Sequence, residues 1–211
     1  MNPVTRHRGQ QKHYHGQVPG EEYLRASTIG ELTPLDAPVH LADYDPQWPV
    51  RFQQEAGRIC AALGDNALRV EHVGSTSVPG LAAKPIIDIV LVVADSAHEA
   101  KYVPALEAAG YQLRIREPGW YEHRLLKGAE TNLHVFSDGC PEIGRMLDFR
   151  DWLRTNPSDR ELYEKTKRGL AEQVWKHIQN YADAKTTVIG EILSRASARY
   201  RESQNHPATP E

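Results

Sequence analysis

The predicted elements run helix, strand, turn, strand, helix, three strands and then helices. That order makes this an α+β chain: a small mixed β-sheet backed by helices, with C-terminal helices. Three observations carry the reading. Short segments rich in Val and Ile, alternating or solidly apolar, lie between residues 67 and 137. A helical period precedes them, and the texture is helical again after Pro141. The chain has 211 residues, 40% of them hydrophobic, which suffices for one sizeable core.

Residues 1–36 are polar, hold few large apolar side chains and show no period, so they are expected to form a disordered tail. The domain is expected over 37–200. Its first helix is expected to start with Asp45 as N-cap and Pro46 at the first helical position. Trp48, Phe52, Ala56, Ile59 and Leu63 recur at helical spacing, and Gly64 can end the helix. "ALRVEHV" (67–73) alternates as a strand does, and "KPIIDIVLVV" (84–93) has the composition of a buried strand. "DSAHEAKYVPALEAAG" (95–110) is predicted to be a helix stopped by Gly110. "YQLRIRE", "YEHRLLKG" and "TNLHVFS" alternate between turn residues and are predicted to be antiparallel strands. From about residue 141 three helical patterns follow, over 142–156, 157–179 and 181–200, with Asn156 capping the second and Pro157 opening it. Residues 201–211 are expected to be a second disordered tail.

The net charge is −3 and the pI about 6.4, which gives no whole-chain attraction to nucleic acid or to an anionic membrane. Cys60 and Cys140 show no metal spacing and fit a reducing compartment. The start lacks the apolar core of a secretion signal, and no apolar run approaches the roughly 20 residues needed to cross a bilayer. The expected location is the cytoplasm. His13 and His15 lie in a polar tail and are expected to be solvated rather than metal-bound.

The most informative stretch is "HVGSTSVPGLAAKPIIDIVLVV" (72–93). Gly74 lets the backbone approach a ligand closely, and successive N–H groups can then form an anion pocket. Ser75, Thr76 and Ser77 add hydroxyl donors, and Lys84 supplies a full positive charge. Asp88 sits inside the apolar run, thirteen residues after Ser75. A carboxylate in a buried strand is costly unless it is paired or bound to a metal. Mg²⁺ takes oxygen ligands and bridges carboxylates to substrate phosphates, so a phosphate turn and a strand carboxylate belong together chemically. The competing reading makes Asp88 a buried support paired with Lys84, Arg124 or a histidine.

"VEHVGSTSVPGLAAKPIIDI" (70–89) closely resembles the signature of the GrpB family, within the nucleotidyltransferase-fold superfamily. "VHLADYDPQWPVRFQQE", "HRLLKGAETNLHVFSDG", "FRDWLRTNPSDRELYEKTK" and "YADAKTTVI" are similar to further family blocks, so the resemblance spans about residues 38 to 198. It implies the nucleotidyltransferase fold. In the superfamily pattern, a glycine-serine turn precedes a strand with two acids one residue apart, and a neighbouring strand supplies a third. These acids hold two metals that position nucleotide phosphates. Gly74 and Ser75 match the turn and Asp88 the first acid, but the second position is Val90 and the third falls on His134. Glu71, Glu122 and Asp138 are candidate replacements for the missing acids, and His72 or His134 for a base. Arg124, Lys84 and Lys185 are candidate phosphate ligands.

Two functions follow as expectations. One is Mg²⁺-dependent transfer of a nucleotidyl group to a small acceptor, with Gly74 and Ser75 on the phosphates, Asp88 on the metal and His134 assisting. The other is a non-catalytic module with a degenerate metal site that binds a nucleotide, a phosphorylated small molecule or a protein. Some family members are fused to dephospho-coenzyme A kinase, which implies that enzyme as a partner and a helper role in coenzyme A biosynthesis. Direct RNA binding is disfavoured by the net charge and the scattered basic residues.

Overall fold

A computed structural model describes residues 21–32 and 38–205. Its centre is a five-stranded sheet of order β1-β2-β5-β4-β3. The strands are β1 (Arg69–Val73), β2 (Ile87–Val93), β3 (Gln112–Glu117), β4 (His123–Lys127) and β5 (Thr131–Ser137). β2 and β5 run parallel and the other neighbours antiparallel, so the sheet is mixed as expected. β2 is flanked on both sides and packed on both faces, which explains why every residue in it except Asp88 is Ile, Val or Leu.

The two faces of β2 feed two cores. Ile87, Ile89, Leu91 and Val93 pack with Trp48, Ile59 and Leu63 of α2 (Trp48–Leu63) and with Leu106 of α3 (Val103–Ala108). Val90 and Val92 point the other way, onto Val73, Phe136 and Ile143, the last from α4 (Pro141–Thr155). A third cluster joins Val78 and Leu81 to Leu153, Tyr163, Val188 and Ile192. It pins the segment after the glycine-serine turn to α4, α5 (Pro157–Ala171) and α7 (Thr186–Asn205). No helix of the described residues is long and apolar enough to cross a membrane.

Several boundaries differ from expectation. Asp45 caps a turn rather than the helix: its carboxylate accepts from the Gln47 amide, and α2 begins at Trp48 with Pro49 in its first turn. The helix predicted over 95–110 is a 3₁₀ turn, Glu99–Lys101, followed by the short α3. The helix predicted over 157–179 stops at Ala171, α6 (Ile178–Asp183) straddles the boundary with the pattern predicted over 181–200, and α7 continues helical to Asn205, so the expected C-terminal tail is helical over 201–205. Asn156 does cap α5, accepting from the Asp159 amide.

The expected N-terminal tail also needs correction. Residues Glu21–Ser27 form α1, with Leu24 and Ser27 buried. Ile29 donates its amide to the Arg114 carbonyl, and Thr28 bridges Ile115 at the edge of β3. Seven residues with one buried leucine are too few for a sequence period to register. His13 and His15, and residues 206–211, lie outside the described residues. Replacing Leu24 with Ala is expected to lower stability by about 2–3 kcal/mol, as for other buried leucines. Urea unfolding measures it, and an unchanged midpoint would contradict the packing of α1.

Candidate functional site

The site begins where β1 ends. Val73 pairs with Asp88 across the sheet, and the chain then turns at Gly74, with φ 67° and ψ −171°. That backbone region is essentially reserved for glycine. A Cβ there would also lie 2.5 Å from Asp88 Oδ2 and 2.9 Å from its Cβ. Glycine is therefore required twice, by conformation and by the carboxylate lying against it.

A 3₁₀ turn, Ser75–Ser77, follows. Ser77 Oγ donates to the Gly74 carbonyl at 2.6 Å, and Thr76 Oγ1 donates to the Ile86 carbonyl at 3.2 Å. Since Thr76 has one hydroxyl proton, the 3.1 Å contact with His72 Nε2 is a bond that the histidine donates. His72 is buried and stacked on Phe52. Burial, with Arg154 and Arg150 nearby, lowers its pKa to about 4, so the ring is neutral and serves the turn. Two of the three hydroxyls thus close the loop, and Ser75 faces the cavity beside it.

That cavity has a volume of about 260 Å³. It brings together Gly74, Ser75, Thr76, Lys84, Asp88, His134 and Lys185, all singled out in the sequence, and adds Lys167 and Asn132. Lys167 is 2% exposed. It donates to Ser75 Oγ at 3.0 Å and to the Ala82 carbonyl, and lies over the Tyr163 ring. Its place was readable from helix spacing: Asp159, Tyr163, Lys167 and Ala171 form the buried face of α5 at intervals of four. Lys185, between α6 and α7, lies over the Tyr181 ring.

The electrostatics are those of a cationic pocket around one acid. Burial pushes Lys167 down to about 7, helped by Lys185, and pushes Lys185 down to about 8 against the pull of Asp88. Lys84 is lowered mainly by burial. Burial raises the Asp88 carboxyl, while a hydrogen bond from Asn132 and the three lysines hold it down. Asn132 Nδ2 donates to Asp88 Oδ1 at 2.9 Å, and His134 Nε2 lies 4.0 Å from the same oxygen. His134 is lowered to about 3 by burial and by His123 and is neutral. Partly desolvated ammonium groups without matching carboxylates favour a bound anion.

Other predicted residues lie elsewhere. Ser77 is buried beneath the turn, where its carbonyl accepts from Arg154. Arg124 pairs with Val135 in the sheet, so it projects from the face opposite His134. There it binds Glu99 and Glu122 and cannot partner Asp88. Glu71 binds Arg150. Asp138 follows the far end of β5, its amide bonded to the Val93 carbonyl. Val90 is wholly buried in apolar contacts. Glu71, Glu122 and Asp138 thus do not replace the missing acids. No group of three or more His, Cys, Asp or Glu able to hold a metal occurs among the described residues. The donor set does not fit the two-metal arrangement that the resemblance implied.

A sequence model described as GrpB protein matches residues 38–195. A UPF0157 protein of Halalkalibacterium halodurans is 60% identical over 180 residues, covering 84% of this chain and 92% of that one. A dephospho-CoA kinase of Mycolicibacterium paratuberculosis is 32% identical over 188 residues, covering 76% of this chain and 46% of that one. The crystal structure of conserved protein GrpB from Enterococcus faecalis superposes with a TM-score of 0.66 at 35% identity, covering 76% of this chain and 99% of that one.

The lysine environment sets a pH dependence. An ammonium group whose pKa falls on folding is strained below that pKa, and the strain is relieved as it deprotonates. The ligand-free protein should therefore gain stability between about pH 7 and the ordinary lysine value of 10.5, through Lys167 and Lys185. Phosphate binding, which needs the ammonium forms, should weaken over the same range. Unfolding and pyrophosphate titrations at pH 6, 7.5 and 9 measure both. Parallel rather than opposed trends would contradict the assignment.

Proposed function

The chain belongs to the GrpB family, and from that premise we propose that it binds a nucleotide or a similar phosphorylated small molecule in the cavity beside Gly74 and Ser75. The observation that carries this is the convergence of Lys84, Lys167 and Lys185 on the cavity beside the Ser75 turn, with Asp88 as the one acid lining it among the described residues. The amines supply charge for phosphate oxygens, and Ser75 supplies a hydroxyl. The lining also includes the apolar side chains of Leu41, Met146, Ile178 and Ala182, which suit a base or another flat group. Mg²⁺ belongs to this reading as an ion carried by the phosphates, with Asp88 as its only carboxylate at the cavity wall.

The shortage of acids favours the binding module over metal-assisted nucleotidyl transfer. Transfer remains the second reading because His134 and Asp88 lie side by side beside the turn, where an acceptor hydroxyl would be received. The likeness to a chain named dephospho-CoA kinase supports including dephospho-coenzyme A among the ligands tried, and that kinase among the protein partners.

Calorimetric titration against ATP, GTP, CTP, UTP, pyrophosphate and dephospho-coenzyme A, with and without Mg²⁺, tests the proposal. At least one phosphorylated compound should bind, and Lys167→Met should weaken it about tenfold or more, as loss of one charged hydrogen bond does. Asp88→Asn should abolish any gain due to Mg²⁺ without weakening Mg²⁺-free pyrophosphate. Absence of binding by the whole panel would overturn the reading.

A further inference from the structure

A line of polar side chains leads from the cavity to α1. The Tyr23 hydroxyl donates to Glu117 Oε1. Glu117 Oε2 lies 2.7 Å from His123 Nδ1, and His123 Nε2 lies 3.1 Å from His134 Nδ1. The remaining nitrogen, His134 Nε2, faces Asp88 Oδ1 at 4.0 Å. Strand register builds the line. Leu125 pairs with His134, so His123, two residues earlier, lies on the same face of the sheet. His123 is buried, 5.1 Å from the Trp120 ring and 4.8 Å from the Phe136 ring, centroid to centroid.

The bonds constrain the protons. A carboxylate only accepts, so His123 carries hydrogen on Nδ1. In the neutral form of His123, Nε2 is a lone pair, and His134 must donate to it from Nδ1. His134 Nε2 is then also a lone pair, set beside the carboxylate of Asp88. Two acceptors side by side, in a cavity also lined by Ile178 and Ala182, are satisfied by a donor from outside the chain.

We propose that Glu117 and His123 are positioning residues that lock His134 in its Nδ1–H tautomer, so that His134 and Asp88 together accept hydrogen bonds from a hydroxyl or ammonium group of the ligand. The ligand is then a phosphorylated compound bearing such a group within reach of its phosphate. The ligand half rests on the phosphate reading above; the tautomer half does not.

Nitrogen-15 NMR of the histidine rings in the ligand-free full chain at neutral pH tests the tautomer. His134 should be protonated at Nδ1 and bare at Nε2. Glu117→Gln, whose amide oxygen still accepts, should keep that pattern. Glu117→Leu should reverse His123 and shift His134 towards Nε2–H. If Glu117→Leu does not fold, His123→Phe keeps the ring stacking, removes the lone pair and should abolish the Nδ1–H preference. A wild-type His134 protonated at Nε2, or a tautomer indifferent to these substitutions, would overturn the proposal. For the ligand half, Glu117→Leu should weaken ATP, which carries ribose hydroxyls, about fivefold or more relative to pyrophosphate. Equal effects on the two would overturn it. Failure of the wild type to bind either would remove the phosphate reading and the ligand half with it, leaving the tautomer to stand on the NMR result.

Discussion

The contact between the Gly74 backbone and the Asp88 side chain is the constraint on which the rest of the site depends. Asp88 is the second residue of β2, a strand otherwise made of Ile, Val and Leu. Its carboxylate leaves the sheet on the face that Val90 and Val92 use for packing. Only a residue without Cβ can pass over it, and Gly74 does so in a conformation closed to other residues. The turn that follows places Ser75 at the cavity wall. The Val78–Leu81 segment then anchors α4, α5 and α7. This anchoring brings Lys167 of α5 to Ser75, in a cavity that Lys185 also lines. One backbone approach thus joins the acid of the sheet to the amines of the helices.

A cavity built this way is held at an electrostatic cost. Three amines and one carboxylate share a partly desolvated space, and Asp88 interacts with all three lysines. Lys167 is buried against the Tyr163 ring and two oxygen acceptors, with no carboxylate in salt-bridge contact among the described residues. Exposed lysines elsewhere on α5 would stabilise the helix at no such cost. Retaining a buried amine beside a serine turn makes physical sense when an anion completes the charge balance. The surrounding hydrogen bonds favour the same use: the Thr76 and Ser77 hydroxyls are spent on the loop, which rigidifies it, and Ser75 meets Lys167 at the cavity.

Much of this was legible in the sequence, for identifiable reasons. The strands and the period-matched α2 follow from alternation and spacing, and the glycine-serine turn and the strand acid stand out by composition, whereas the contact of Asp88 with Gly74 emerges only with the fold. Lys185 was picked out on charge and lies at the cavity. Arg124 was misplaced because sequence does not reveal which strands pair in which register, and one residue of parity moves a side chain to the other face. Ser77 was misplaced because a hydroxyl in a tight turn has the backbone as a competing partner. Lys167 went unnoticed although it shares helical spacing with Tyr163, because lysines on helices are so often solvated. α1 was missed because its burial rests on Leu24 and a few edge contacts, below what periodicity detects. The line of side chains through His123, from Glu117 to Asp88, joins four strands and depends on register throughout.

The central claim is that the Ser75 turn and its lysines form an anion site. Backbone amide NMR during a pyrophosphate titration tests it most directly. The account predicts the largest, saturable shifts at Gly74–Thr76, at Lys167 and around Lys185. Saturable shifts centred instead on the half-buried Arg160 and the exposed Arg168 of α5, with the turn unaffected, would contradict it.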